Sequence, residues 1–127
     1  MANPVAEFND YRSEMNERLL SNASTTLKRI YSLDNQAYPE GTLDRPTKEL
    51  LGLVASAVLR CDDCIKYHLV RCFEEKYSKT QVMEALEIAT LVGGTIVIPH
   101  LRRAYEFWEA LESNTNSSSD AITRRTY

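Results

Sequence analysis

Residues that interrupt helices are scarce in this chain, and their scarcity limits the folds open to it. Only four glycines and four prolines occur among 127 residues. Between them lie mostly good helix formers, with apolar residues at helical rather than alternating spacing. A chain of this length has room for one domain, so the sequence predicts a single all-α bundle of about five to six helices.

The first third of the chain is predicted to support the core. An apolar stripe at helical spacing indicates one long first helix that lies on the core. The stretch from Asp34 to Pro46, which contains two prolines and a glycine, is predicted to be a loop. Residues 1–46 are therefore assigned to an N-terminal helix and loop packed on the core. The stripe consists of Phe8, Met15, Leu19, Ala23, Leu27 and Ile30.

Residues 47–112 form the predicted core of the domain. The stretch from Thr47 to Leu59 carries apolar residues on nearly every side, as expected of a helix buried inside a bundle or in a subunit interface. A third helix is predicted from about Cys61 to Lys76.

The C-terminal half is predicted to hold two more helices and a tail. Ser78 and Gln81 form a capping box for a fourth helix that ends at Gly93 and Gly94, and Pro99 is tolerated only in the first turn of the last helix. Residues 113–127 are polar and are predicted to be a flexible tail. The inward face of the last helix is predicted to consist of Leu101, Ala104, Tyr105, Trp108 and Leu111.

Composition and charge exclude several classes of partner. Fifteen Lys and Arg against eighteen Asp and Glu give a formal charge of −3, so no broad basic surface exists for a nucleic acid. No window approaches the ~18 apolar residues of a membrane span, and the N-terminus does not resemble a signal peptide. We expect a cytoplasmic protein without a membrane partner. The apolar second helix exceeds what a lone small bundle buries, so we also expect a homo-oligomer.

The segment with the most chemical information runs from Cys61 to His68, with the sequence CDDCIKYH. Cys64 and His68 are four residues apart, which places them ~40° apart on one helix face and one turn from each other. A histidine there can accept or share the thiol proton, and unpaired N–H groups at a helix start favour a thiolate. Cys64 is therefore the candidate nucleophile and Cys61 the candidate resolving thiol.

Such a pair has a well-defined chemistry. A thiolate attacks an oxygen of a peroxide or one sulfur of a disulfide, and a second thiol three residues away then closes an intramolecular disulfide. Simple packing of the cysteines remains the alternative at this point.

A zinc site is a further alternative, because the string C-x2-C-x3-H-x3-C, which ends at Cys72, offers four ligands. Eleven residues of helix separate Cys61 from Cys72 by ~16 Å of rise, whereas all ligands must lie within ~2.3 Å of the metal. No turn residue between them would bend the chain. We therefore expect no metal, and we expect Cys72 to be a small buried hydrophobe.

The run ELLGLVASAVLRCDDCIKYH, from Glu49 to His68, resembles the E-x11-C-x-x-C-x3-H signature of the carboxymuconolactone decarboxylase superfamily, specifically its AhpD-like alkylhydroperoxidase branch. The similarity extends from about Thr47 to Leu111 and includes the segment EALEIATLVGG. The first 40 residues and the tail contribute nothing to it. Members of this family often carry Asn-Gly before the first cysteine, where this chain has Leu59 and Arg60.

The resemblance implies an AhpD-like helical fold, assembled as trimers or hexamers, with thiol-dependent peroxidase or disulfide oxidoreductase activity. Cys64 would attack a hydroperoxide or disulfide, Cys61 would resolve, and His68 with Glu49 would form a proton relay. A redox-active Cys61–Cys64 disulfide would stand in place of a bound cofactor. An external dithiol, of lipoyl type or thioredoxin-like, would reduce it. Glu49 reaches the thiols only if the helix bends near Arg60.

Two other functions stay open. The chain could be a non-catalytic helical module for redox sensing or assembly, or, less favoured, a decarboxylase, although that branch typically lacks the cysteine pair. No glycine-rich phosphate loop or dinucleotide fingerprint occurs, so reducing power would arrive through thiols. His100, the second histidine, is expected in solvent or at a helix end.

Overall fold

The computed structural model describes residues 3–114, and within these residues all regular secondary structure is helical. A short 3-10 turn, Thr95–Val97, lies between the last two helices. The predicted all-α fold is confirmed for this part of the chain, whereas the predicted homo-oligomer stays a prediction. The six helices are α1 (Pro4–Ser21), α2 (Thr25–Ala37), α3 (Arg45–Val58), α4 (Asp62–Glu74), α5 (Lys79–Gly93) and α6 (Ile98–Asn114).

The helix starts follow from local capping. The Asp44 side chain accepts a hydrogen bond of 2.8 Å from the backbone N–H of Thr47, which begins α3. The predicted capping box of α5 is present, with Ser78 and Gln81 bonded reciprocally at 2.9 and 3.1 Å. Pro99 lies in the first turn of α6, where its missing N–H costs no helical hydrogen bond.

The core lies among α3, α4, α5 and α6. Helix α3 packs against both α4 and α5, α4 packs against α6, and α1 lies on α6. Cys72 is fully buried, as predicted, and burial raises the pKa of its thiol. The largest fully buried apolar side chains include Val5, Leu53, Ile65, Leu69, Val82, Leu86, Val97 and Leu111.

The predicted single long first helix is wrong, because the chain forms two helices there. It leaves α1 at Asn22 and enters α2 after Ser24, whose backbone is extended. Asn and Ser side chains compete for backbone hydrogen bonds and therefore favour helix ends. Leu19 and Ile30, both in the predicted core-facing stripe, are exposed. The following loop begins at Tyr38 rather than Asp34.

Tyr105 also departs from its predicted place on the inward face of the last helix. It is exposed, with the Lys79 ammonium 5.1 Å from its ring centroid. Ala104, Trp108 and Leu111 are buried as predicted. Tyr105 follows Ala104 by one residue, and a rotation of ~100° carries it off the buried face.

The predicted tail, 113–127, lies outside the described residues except for Ser113 and Asn114, which belong to α6. No helix within residues 3–114 combines the length and the hydrophobicity that a membrane crossing requires.

Candidate thiol site

The turn between α3 and α4 creates the site. Arg60 adopts a left-handed backbone conformation with φ of 60°. Its N–H bonds to the Ala57 carbonyl at 3.0 Å, and the N–H of Cys61 bonds to the Ser56 carbonyl at 3.1 Å. This is the Schellman pattern of a helix end. Glycine usually occupies the left-handed position, and another residue costs ~1 kcal/mol there. The bend near Arg60 that Glu49 requires in order to reach the thiols is therefore present without a glycine.

The turn folds α4 back onto α3, so that Glu49 and His68 meet in the interior. Glu49 Oε1 lies 3.0 Å from His68 Nδ1, and the two side chains are 1% and 9% exposed. An ionised carboxylate can only accept hydrogen bonds, so in the neutral imidazole Nδ1 carries the proton. Nε2 is then left with a lone pair. The second oxygen of Glu49, Oε2, has no hydrogen-bond partner within residues 3–114.

Close approach of the two helices depends on Gly52, three residues after Glu49 on α3. A Cβ atom at this position would lie 2.5 to 2.9 Å from three atoms of the His68 ring. No side chain fits at that distance, so glycine is required for the histidine to pack where it does.

The two thiols lie at the N-terminus of α4. Cys61 is the N-cap residue, and its Sγ accepts a hydrogen bond of 3.3 Å from the backbone N–H of Cys64. Both are free cysteines, Cys61 half-buried and Cys64 exposed. Helix α4 thus begins directly after Cys61, close to the predicted start at about Cys61. This position exposes its sulfur to the N–H groups of a helix start, which favour negative charge.

The Cys64 thiol is held in its protonated form. Although the residue as a whole is exposed, partial burial of its sulfur, together with the hydrogen bond and charge of Cys61, raises the pKa of Cys64 to about 11. Asp63 acts in the same direction and Arg12 opposes it. The thiol form of Cys64 therefore predominates at neutral pH, so nucleophilic attack needs a base.

Cys64 and His68 open into one cavity of about 280 Å³. Of the four predicted site residues, these two line the cavity. The Sγ of Cys61 accepts a hydrogen bond from the backbone N–H of Cys64, and Glu49 contacts Nδ1 of His68. The structure thus brings all four together, and their catalytic roles stay predictions. The cavity is lined by Arg12, Ile30, Tyr31, Asp34, Asp63, Cys64, Tyr67 and His68.

Six of these eight residues were not predicted as site residues. Four of the six come from the N-terminal segment, which was assigned to packing alone. Arg12 comes from α1, and its guanidinium lies 4.4 Å from the Tyr67 ring centroid. Ile30, Tyr31 and Asp34 come from α2. In the sequence, only Tyr31 and Asp34, next to the apolar stripe of this segment, indicated that it could line a site, and that indication is weak.

Tyr38 was missed as well, because it lies in the predicted loop. Its hydroxyl is 3.4 Å from Nε2 of His68, and the two ring centroids are 5.4 Å apart. Burial, with the charges of Asp34 and Glu49, raises the pKa of Tyr38 to about 12. This hydroxyl is therefore neutral at physiological pH.

A second cluster anchors the start of α4 to α6. His100 lies in the first turn of α6, the helix-end placement expected for it, with its Nδ1 2.7 Å from Asp62 Oδ1. Arg103 Nε donates to Asp62 Oδ2 at 2.9 Å. Partial burial would raise the pKa of Asp62, but the hydrogen bonds and charges of His100 and Arg103 outweigh it and lower that pKa. Asp62 directly follows Cys61, so the cluster holds the end of α4 that carries the thiols.

Metal ligands do not converge in this part of the molecule. Among residues 3–114, no group of three or more His, Cys, Asp or Glu side chains could hold a metal ion.

These features define an all-helical protein with a cysteine pair at an interhelical turn and a buried carboxylate–histidine pair beside it. The sequence model of the carboxymuconolactone decarboxylase family matches residues 25–111. The chain therefore belongs to this family. The match begins within the first 40 residues, so the expectation that they contribute nothing to the similarity is wrong. The matched region includes α2, which forms one wall of the cavity.

Solved structures agree with this assignment. Two crystal structures of one Thermotoga maritima protein are 54% and 51% identical to this chain, with TM-scores of 0.85 and 0.87. They cover 88% and 93% of this chain, and 98% and 99% of their own chains. That protein belongs to the same family, and involvement in an antioxidative response has been suggested for it.

One more distant solved structure supports the fold, and one more distant sequence is also similar to this chain. A Legionella pneumophila family member is 23% identical, with a TM-score of 0.72, and the match covers 88% of this chain and 97% of that one. An uncharacterized protein of Cupriavidus necator is 26% identical over 77 residues, which are 61% of this chain and 68% of the relative.

Proposed function

We propose that this protein is an AhpD-like, thiol-dependent peroxidase or disulfide oxidoreductase. The observation that carries the proposal is the cavity shared by Cys64 and His68. The Sγ of Cys61 accepts a hydrogen bond from the backbone N–H of Cys64, and Glu49 is hydrogen-bonded to the His68 nitrogen on the far side of the ring. In this proposal Cys64 is the nucleophile, Cys61 the resolving thiol, His68 the base and Glu49 the group that orients the base. The antioxidative role suggested for the Thermotoga maritima relative agrees with this chemistry.

The cycle balances with a hydroperoxide and a dithiol. Cys64 gives its proton to Nε2 of His68, and the thiolate attacks the peroxide oxygen, forming a sulfenic acid while the O–O bond breaks. The leaving alkoxide takes the proton from His68 and departs as an alcohol. Cys61 then attacks the Cys64 sulfur, releasing water and forming the disulfide. An external dithiol reduces this disulfide by two electrons.

The electrostatics explain why the base is needed. Because the pKa of Cys64 is raised to about 11, the resting thiol is protected from indiscriminate oxidation and must be deprotonated during the reaction. The Glu49 carboxylate, 3.0 Å from Nδ1, stabilises the imidazolium that His68 becomes. This is the role of the acid in a nucleophile–histidine–carboxylate arrangement.

The Cys61–Cys64 disulfide serves in place of a bound cofactor, and a dithiol of lipoyl type or a thioredoxin-like protein is the reductant. We propose a cytoplasmic location for this reducing chemistry.

We also propose that the chain is a homo-oligomer, a trimer or hexamer. Its support is an apolar surface at the ends of α3 and α5, where large hydrophobic side chains lie exposed. A second copy of the same chain is the occupant we propose for this surface, since apolar patches of this kind mark interfaces. The surface consists of Leu59, Ile88, Leu91, Val92 and Ile96.

The role of Cys64 as the nucleophile can be tested by substitution. Purified protein should consume an organic hydroperoxide in the presence of a dithiol, and Cys64→Ser should lose at least ~100-fold in rate. Cys72→Ala is the matched control, because it removes a thiol that is buried outside the cavity. A Cys64→Ser protein as active as the parent would end this assignment.

The raised pKa of Cys64 also favours a second candidate, a redox-sensing module that oxidises slowly and does not turn over. The two differ in stoichiometry. A sensor consumes one equivalent of peroxide per cysteine pair even with excess dithiol, whereas an enzyme continues until the substrate is exhausted.

A further inference from the structure

Within residues 3–114 the His68 ring has hydrogen bonds to Glu49 and Tyr38 and ring contacts with Tyr38 and Tyr67. Of these groups, the Tyr38 hydroxyl is the one hydrogen-bonded to Nε2. We propose that Tyr38 is a positioning residue, which holds the His68 imidazole in one orientation while Nε2 gains and loses its proton. The proposal rests on the function proposed above, and it adds a residue from the loop after α2 to the site.

The hydrogen-bond chemistry of the ring supports this role. Nδ1–H donates to the Glu49 carboxylate at 3.0 Å, so Nε2 is the basic nitrogen. In the resting neutral ring Nε2 accepts from the Tyr38 hydroxyl, 3.4 Å away, and the hydroxyl releases this lone pair when Cys64 delivers its proton there. Once Nε2 is protonated, it can donate to the same hydroxyl oxygen, because a hydroxyl both donates and accepts. Tyr38 can therefore partner both protonation states without movement of the ring.

The backbone around Tyr38 is itself fixed from α3. Lys48 Nζ donates to the carbonyl of Ala37 at 2.8 Å and to that of Pro39 at 2.9 Å. These two carbonyls lie on either side of Tyr38 in the chain. Lys48 directly precedes Glu49 in α3. Glu49 contacts Nδ1 of the His68 ring, and Lys48 holds the backbone of Tyr38, which contacts Nε2.

The test is imidazole NMR combined with kinetics. The chain has two histidines, so His100→Gln assigns the His68 signals in long-range ¹H–¹⁵N spectra. In the parent, His68 should be the Nδ1–H tautomer with a hydrogen-bonded Nε2. In Tyr38→Phe the Nε2 resonance should move towards the value of a free lone pair. With peroxide and dithiol, kcat should fall about tenfold while KM stays within about twofold.

Tyr67→Phe is the matched control for the spectra. Its ring lies edge-on to His68, with centroids 5.2 Å apart, but its hydroxyl accepts from Arg71. It should leave the His68 tautomer and the Nε2 shift as in the parent. Lys48→Met should move the Nε2 resonance in the same direction as Tyr38→Phe, by a smaller amount.

Two results would overturn the role of Tyr38: a His68 spectrum that is identical in Tyr38→Phe and the parent, or a kcat for Tyr38→Phe within twofold of the parent. Failure of the proposed function looks different, since the parent protein itself would then turn over neither peroxide nor disulfide. The NMR result would still decide whether Tyr38 holds the ring.

Discussion

Both histidines of this chain bond to a carboxylate, yet the two pairs occupy different environments. His68 and Glu49 lie between α3 and α4 with side chains 9% and 1% exposed. His100 and Asp62 lie between α4 and α6 with side chains 17% and 36% exposed. Asp62 is also shared with Arg103, whereas Glu49 bonds to the histidine through one oxygen and has no partner for the other within residues 3–114.

The difference supports the proposal that Glu49 and His68 form the catalytic pair. Burial of a carboxylate costs several kcal/mol before pairing, and an unsatisfied oxygen adds to that cost. A carboxylate that only stabilises the fold is better placed like Asp62, which is partly exposed to solvent and also pairs with Arg103. The Glu49–His68 pair is the costly one, and it is the one beside the thiol cavity.

The largest expected effect comes from neutralising the buried carboxylate. Glu49→Gln should lower peroxide consumption by about 100-fold, because the imidazolium formed during the reaction loses its counter-charge. The matched surface change, Asp62→Asn, should cost about threefold or less, since exposed ion pairs contribute little. Equal losses in both variants, measured as kcat/KM, would show that burial does not separate the two pairs.

A steric change should have a smaller effect on activity and should act on the buried pair only. Gly52→Ala gains ~1 kcal/mol in helix propensity, but its Cβ would meet His68 ring atoms at 2.5 to 2.9 Å. Overpacking costs ~1–3 kcal/mol, so we expect a net loss of about 1 kcal/mol in the free energy of unfolding, measured with denaturant. Displacement of the base should slow turnover about tenfold.

Gly41→Ala is the control for the Gly52 change. It lies in the loop after α2, and a Cβ there meets nothing nearer than Lys48 Nζ at 3.4 Å. If Gly41→Ala and Gly52→Ala lose activity equally, the close approach to His68 is not the cause.

Contacts within one helix were predictable from the sequence, and contacts between helices mostly were not. Cys64 and His68 share a face because they are four residues apart, and a spacing rule is enough to place them. The Glu49–His68 contact needs α4 to fold back at Arg60, where nothing local requires a positive φ. Only the family resemblance suggested it.

Tyr38 and the His100–Asp62 pair lay beyond reach for the same reason. Tyr38 meets His68 across 30 residues, and Asp62 meets His100 across 38. Such contacts depend on how helices pack, which periodicity does not specify. The break at Asn22 was readable from its capping residues, but the apolar stripe that continues through it concealed the signal.

The smallest expected effect is on the pH dependence of stability, which should differ between the thiol site and the Asp62 cluster. Cys64 and Tyr38 have pKa values raised from 9.0 to about 11 and from 10.0 to about 12. The folded protein therefore holds these protons more tightly than the unfolded chain does. The stability they contribute is complete below pH 9 and is lost as pH rises through about 11 and 12. Asp62 has a lowered pKa, so its contribution is present above its ordinary value of 3.8 and is lost as pH falls.

Denaturant unfolding across a pH series should therefore resolve two limbs. Cys64→Ser and Tyr38→Phe should each flatten the alkaline decline and leave the acid decline as in the parent, because neither contacts Asp62. Asp62→Asn should do the reverse. An alkaline decline that persists unchanged in Cys64→Ser and Tyr38→Phe would place its origin outside the thiol site. That result would remove the electrostatic contrast between the cavity side of α4 and the side anchored to α6.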